Sequence, residues 1–140
     1  GYIPNTTHGL IAAPSDQSSG IRWNNGTSIT TSATGRSIGT GFSNTNSIIS
    51  SQGPTATSYA AGLARSYNGG GYTDWYLPSI YELKKLYLNR VAIGGFSTNF
   101  YWSSSEYDTY FASTCYFANG EDGYNSPKTD SKSVRAIRAF

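Results

Sequence analysis

The side chains in this sequence best suited to act on another molecule are cationic. Lys84, Lys85 and Arg90 cluster near a single carboxylate, Glu82, and after Pro127 come Lys128, Lys132, Arg135 and Arg138 against Asp130. Ammonium and guanidinium groups donate charge-assisted hydrogen bonds to sulfates, phosphates and carboxylates, so these two sets are the candidate binding residues for a polyanion. The overall balance is only +2, ten basic against eight acidic residues, so one copy is a weak polycation and local clustering carries the reading. Several copies around one axis would present the same charges to a long anionic chain and raise its apparent affinity. Side chains of an extended strand alternate between faces, so part of the C-terminal set must be structural.

Catalytic chemistry has little to work with. The single His is His8, and any Ser/His/Asp arrangement would rest on it alone. Glu106 with Asp108, and Glu121 with Asp122, lie in turn-like sequence where solvated surface carboxylates are expected rather than an acid/base pair. Glu121, Asp122 and Asp130 could offer loop oxygens to calcium. The Glu-Pro-Asn, Gln-Pro-Asp and Trp-Asn-Asp runs of sugar-binding C-type lectins are absent, so no metal and no cofactor is expected. One Cys, Cys115, can form neither an internal disulfide nor a Cys-based zinc cluster. It shares a face of an alternating run with Phe111, Ser113 and Phe117, the pattern of a buried core thiol. The run 35–41 is Gly-rich but lacks the Gly-Lys-Ser/Thr ending of a phosphate loop and reads as a flexible loop.

The elements that must position these groups are those of one domain, since 140 residues support a single core. Charged residues make up 13%, hydrophobic residues 37% and aromatic residues 15%, with 12 Tyr and 3 Trp amid abundant Ser, Thr, Asn and Gly, which is the profile of a loop-rich extracellular domain with an aromatic core. No run of about twenty apolar residues exists to span a membrane. No signal peptide is visible and Met is absent, as expected of an excised fragment. Up to Pro54, apolar islands at 10–13 and 21–23 between turn-formers predict short strands and long loops.

A first helix is predicted after Pro54, capped by Thr55 or Thr57, running through Tyr59, Ala60, Ala61, Leu63 and Ala64 to a stop at Asn68 and the glycines 69–71. A second follows Pro78, with Ser79 as N-cap and Glu82 closing a capping box. Ile80, Leu83, Leu86, Tyr87 and Val91 form its core stripe, and Tyr81, Lys84, Lys85 and Leu88 its outward face. Strands at 100–105, 110–118 and 133–140, with a turn-rich link at 119–123, complete an α+β domain of two helices, short antiparallel strands and long loops. Trp75 and Trp102 are expected to pack in its interior.

Two signatures in this sequence carry a family resemblance. Gly70, Gly71, Tyr72, Thr73, Asp74, Trp75, Tyr76, Leu77 and Pro78 lead into the second helix, and Tyr101, Trp102, Ser103 and Ser104 are followed by the closing Val134, Arg135, Ala136, Ile137 and Arg138. From about Gly9 to Phe140 the chain resembles the C-terminal domain family of the Legionella collagen-like adhesin, with Tyr76 where the family pattern has Arg. The resemblance implies a C-type-lectin-like fold, display at a bacterial surface or secretion, a homotrimer, and binding of sulfated glycosaminoglycans of the host or matrix. A collagen-like stalk would then precede Gly1 in the parent protein. Formylglycine-generating enzymes have a related fold but draw on a Cys pair, which this sequence lacks. The expectation is therefore an adhesin domain rather than an enzyme, with no nucleic-acid partner and no membrane insertion. A fibre-tip or trimerisation domain recognising a protein is the alternative.

Overall fold

Residues 9–53 and 56–140 are described by the computed structural model, so His8, Pro54 and the predicted cap Thr55 lie outside them. Along the described residues run β1 (Leu10–Ala12), β2 (Ser18–Ile21), α1 (Gly41–Gln52), α2 (Ala60–Ser66), α3 (Ile80–Leu88), α4 (Arg90–Ile93), β3 (Phe100–Glu106), β4 (Phe111–Tyr116), β5 (Glu121–Pro127), β6 (Lys132–Val134) and β7 (Ile137–Ala139). A five-stranded sheet has the order β2-β6-β3-β4-β5, and β1 pairs with β7 in a separate two-stranded sheet. This is an α+β domain with antiparallel neighbours throughout, except that β6 lies parallel to β3 through the Tyr101 and Ser133 register.

The central hairpin forms because β3 and β4 carry cross-strand pairs that interlock. Phe100 faces Tyr116 and Tyr101 faces Cys115, with the Phe100 and Tyr116 rings stacked at 4.2 Å. Trp102 and Trp23 are fully buried, and each indole N–H donates to a backbone carbonyl, that of Ile21 and of Ser103 respectively. Around them Trp75, Tyr59, Ile48 and the alanines of α2 form one core cluster, while Tyr101, Cys115, Phe117, Ile80, Leu83 and Leu86 form a second beneath α3. The tryptophans expected in the interior are there, Trp75 at 5% exposure.

Three expectations from the sequence need correcting. The region predicted to hold only strands and loops contains the longest helix, α1, whose sequence is Ser- and Asn-rich and intrinsically a poor helix former. Long-range polar contacts hold it instead. Asn44 accepts from the Gly35 N–H at 3.1 Å and donates to the Gly35 carbonyl at 2.7 Å, Thr45 accepts from Leu77 N–H at 3.1 Å, and Gln52 accepts from Asn25 N–H at 2.9 Å. Secondly, the predicted C-terminal strand is two strands in two sheets, and the turn-rich link continues into β5, an edge strand of low apolar content. Thirdly, α3 stops at Leu88 because Asn89 leaves helical geometry, so Val91 turns out of the core stripe and is 89% exposed on α4. The first predicted helix is confined to α2, with Tyr59 at its cap.

Candidate functional site

The loop of residues 35–41, predicted to be flexible, is tied down at both ends. Gly35 is gripped by Asn44 and by the Ser105 hydroxyl, which donates to its carbonyl at 2.7 Å, and the Tyr81 N–H donates to Arg36 carbonyl at 3.1 Å. Ser79 and Glu82 form the predicted capping box, and the Glu82 carboxylate does more than cap α3. It accepts from Ser79 N–H at 2.8 Å, from Gly39 N–H at 3.0 Å and from the Tyr76 hydroxyl at 3.3 Å. A Cβ on Gly41, the first residue of α1, would come within 2.2 Å of that carboxylate. One buried acid therefore caps the N-terminus of α3, where partial positive charge favours an anion, and holds the loop that enters α1. Tyr76 supplies a hydroxyl donor to this carboxylate and no counter-charge.

Because Glu82 is turned inward, the outward face of α3 bears cations and apolar groups but no acid. Tyr81 and Leu88 are exposed, Lys85 is exposed and Lys84 half-buried, as the helical projection predicts. Lys84 donates to Gly120 carbonyl and approaches the Tyr87 ring at 5.4 Å. Arg90 lies over the same ring at 4.0 Å and donates to Tyr87 carbonyl at 2.9 Å. Arg36, which the sequence reading left in a nondescript loop, joins this face by approaching the Tyr81 ring at 5.8 Å. Only the contact of its loop with the start of α3 reveals this. Beside Lys85 a groove of about 330 Å³ is lined by Leu10, Leu86, Asn89 and Ile93.

The C-terminal set divides. Lys128 is wholly buried, donating to Glu106 at 2.6 Å and to Ile29 carbonyl at 2.9 Å while lying 4.6 Å from the Trp23 ring. Glu106, expected on the surface, is buried with it and also accepts from the Thr31 N–H. Arg135 is likewise wholly buried, paired with Asp16 at 2.8 Å, donating to Ala13 carbonyl at 2.8 Å and stacked on Phe96 at 3.9 Å. Neither can meet an external anion, which removes both from the candidate set. Lys132 remains half-buried, 3.7 Å from Asp130 and 4.7 Å from Phe100. Arg138 donates to Asp74 at 2.5 Å and stacks on Tyr72 at 3.6 Å.

Asp108 is occupied capping its own turn, accepting from Tyr110 and Phe111 N–H groups. Among the described residues no three of His, Cys, Asp and Glu come together to hold a metal. Burial pushes the Cys115 thiol up to about 11, so it is no nucleophile near neutral pH. No helix among the described residues is long and apolar enough to cross a membrane.

Fold and surface thus define a small α+β domain with a cationic helix face. The chain belongs to the Lcl C-terminal domain family, whose sequence pattern matches residues 13–138, and is an adhesin-related domain. No curated protein matches it.

Proposed function

We propose that this is a surface-displayed adhesin domain with a C-type-lectin-like fold, which binds sulfated glycosaminoglycans as a homotrimer. The observation carrying the reading is the inward turn of Glu82, which leaves Lys84, Lys85 and Arg90 on α3 and α4 without an exposed carboxylate on either helix. Arg36, Lys132 and Arg138 extend the exposed and half-exposed cations. Sulfates spaced along a polymer match such a surface because each contact is weak alone and additive along the chain. Membership of an adhesin-related family supports the adhesin part of this reading.

Immobilised heparin tests it. The domain binds at low salt and is released as salt rises, since charges at the surface are screened over about 8 Å at physiological ionic strength. Lys85→Gln with Arg90→Gln elutes earlier at unchanged melting temperature, and desulfated heparin retains the parent poorly. Equal retention on sulfated and desulfated columns would overturn the electrostatic reading. The exposed Leu88 and Val91 on the neighbouring turns favour a second reading, a fibre-tip domain with a protein partner, under which heparin is ignored at any salt.

A further inference from the structure

A second concave feature lies away from α3. Ile11 and Pro14 from the β1 region, Tyr67 at the end of α2, Gly70, Tyr72 and Trp75 surround a cleft of about 290 Å³ with Arg138 on its rim. Its size is just below the roughly 300–1,000 Å³ typical of ligand pockets, enough for one ring-sized unit. The lining is aromatic. Tyr67 packs edge-on to Trp75 at 4.7 Å, and the Trp75 indole N–H is committed to Gly69 carbonyl at 3.1 Å. Gly70 holds a φ of +70°, a conformation that side chains rarely adopt, so bare backbone of Gly69 and Gly70 forms this wall.

The rim carries unspent hydrogen-bonding capacity. Arg138 uses only its Nε on Asp74, and its terminal nitrogens have no acceptor among the described residues. Its guanidinium covers one face of the Tyr72 ring, which is still 49% exposed. Asp74 pairs with Arg138 at the cleft edge, whose remaining donors are the terminal nitrogens of that guanidinium. An apolar ring floor beside a planar donor fork suits a sugar ring bearing an anion, whose C–H face is apolar and whose substituent accepts paired N–H bonds.

We propose that this cleft seats one pyranose residue of an acidic glycan, its C–H face against the exposed Tyr72 ring and its sulfate or carboxylate on the terminal nitrogens of Arg138. It rests on the proposed function, to which it adds a subsite that reads a single sugar rather than overall charge. The cationic face of α3 would then gather the polymer, and the cleft would select a residue along it.

The test uses a heparin disaccharide, too short for multivalent capture, titrated into the isotope-labelled domain. The expected result is a saturable shift of the Trp75 indole and Gly70 amide resonances. Arg138→Gln weakens it by roughly tenfold, the loss of about one charge-assisted hydrogen bond, and Tyr72→Ala weakens it by removing the ring on which the sugar rests. A desulfated disaccharide that still shifts these signals assigns the uronate carboxylate as the anion, and one that does not assigns sulfate. If heparin columns retain the domain but the disaccharide moves no cleft resonance, the subsite is wrong while the adhesin reading stands. Shifts produced by an oligoproline peptide and not by the saccharide would overturn it in favour of peptide recognition. Absence of heparin retention itself refutes the parent reading separately.

Discussion

Lys128 and Arg135 belong to the most cationic segment of the sequence, yet their charges are spent inside the fold. Their partners are Glu106 and Asp16, the second of them 119 positions away, and no local pattern announces such a pairing. Removing one member of a buried pair strands the other, so Lys128→Met is expected to cost about 3–5 kcal/mol in chemical denaturation. Pairing it with Glu106→Gln should recover part of that loss. A Lys128→Met protein of parental stability that elutes early from heparin would instead return this residue to the binding face. The Cys115 thiol offers a pH test. Burial raises it from 9.0 to about 11, and burial likewise raises Tyr59, Tyr76 and Tyr101. The folded state thus holds these protons more tightly than the unfolded chain. Their contribution is full below about pH 9 and is lost as pH climbs through the folded values. Melting temperature should be level up to about pH 9 and then decline, and iodoacetamide near pH 8 should label Cys115 only after unfolding. Rapid labelling of the native protein would contradict the burial.

Among the elements, those built from local signals were legible and those built from distant contacts were not. The α3 capping box could be read from Ser79 and Glu82 alone, and the β3–β4 hairpin from its aromatic alternation, because each rests on neighbours in sequence. Helix α1 escaped because Asn44, Thr45 and Gln52 stabilise it through partners on other segments, and its composition taken alone argues against a helix. The same distance hid Arg36 from the candidate face. The junction of α1 and α3 makes a sharp prediction. Glu82→Ala leaves the buried Ser79 N–H unmet, at roughly 1–3 kcal/mol, and frees the exposed Gly39 N–H to water. Gly41→Ala drives a methyl against the same carboxylate and the Tyr76 ring, a strain of about 1–3 kcal/mol. Because both act through one contact, Gly41→Ala should cost less in the Glu82→Ala background than in the parent. Strictly additive losses in denaturant titrations would mean that Glu82 and α1 are not coupled.

For the whole molecule the question is how a domain of net charge +2 could hold a polyanion at all. Burial takes Lys128 with Glu106 and pairs Arg135 with Asp16, so it leaves the balance almost untouched while confining the remaining cations to particular faces. One such face offers only a few contacts, and surface charges are individually worth little. On the proposed reading, affinity comes from repetition, which would tie glycan binding to assembly. Exposed Leu88 and Val91 lie on the turns next to Lys85 and Arg90, so a subunit contact through these apolar groups would bring the cations of neighbouring copies together. Light scattering should give three times the 15.1 kDa chain mass at micromolar concentration, and Leu88→Glu with Val91→Glu should reduce it to one. The dissociated variant should keep its disaccharide affinity in the Tyr72 cleft and lose most of its retention on long heparin. Undiminished retention of a proven monomer would show that a single copy suffices, and the trimer would then have no part in binding.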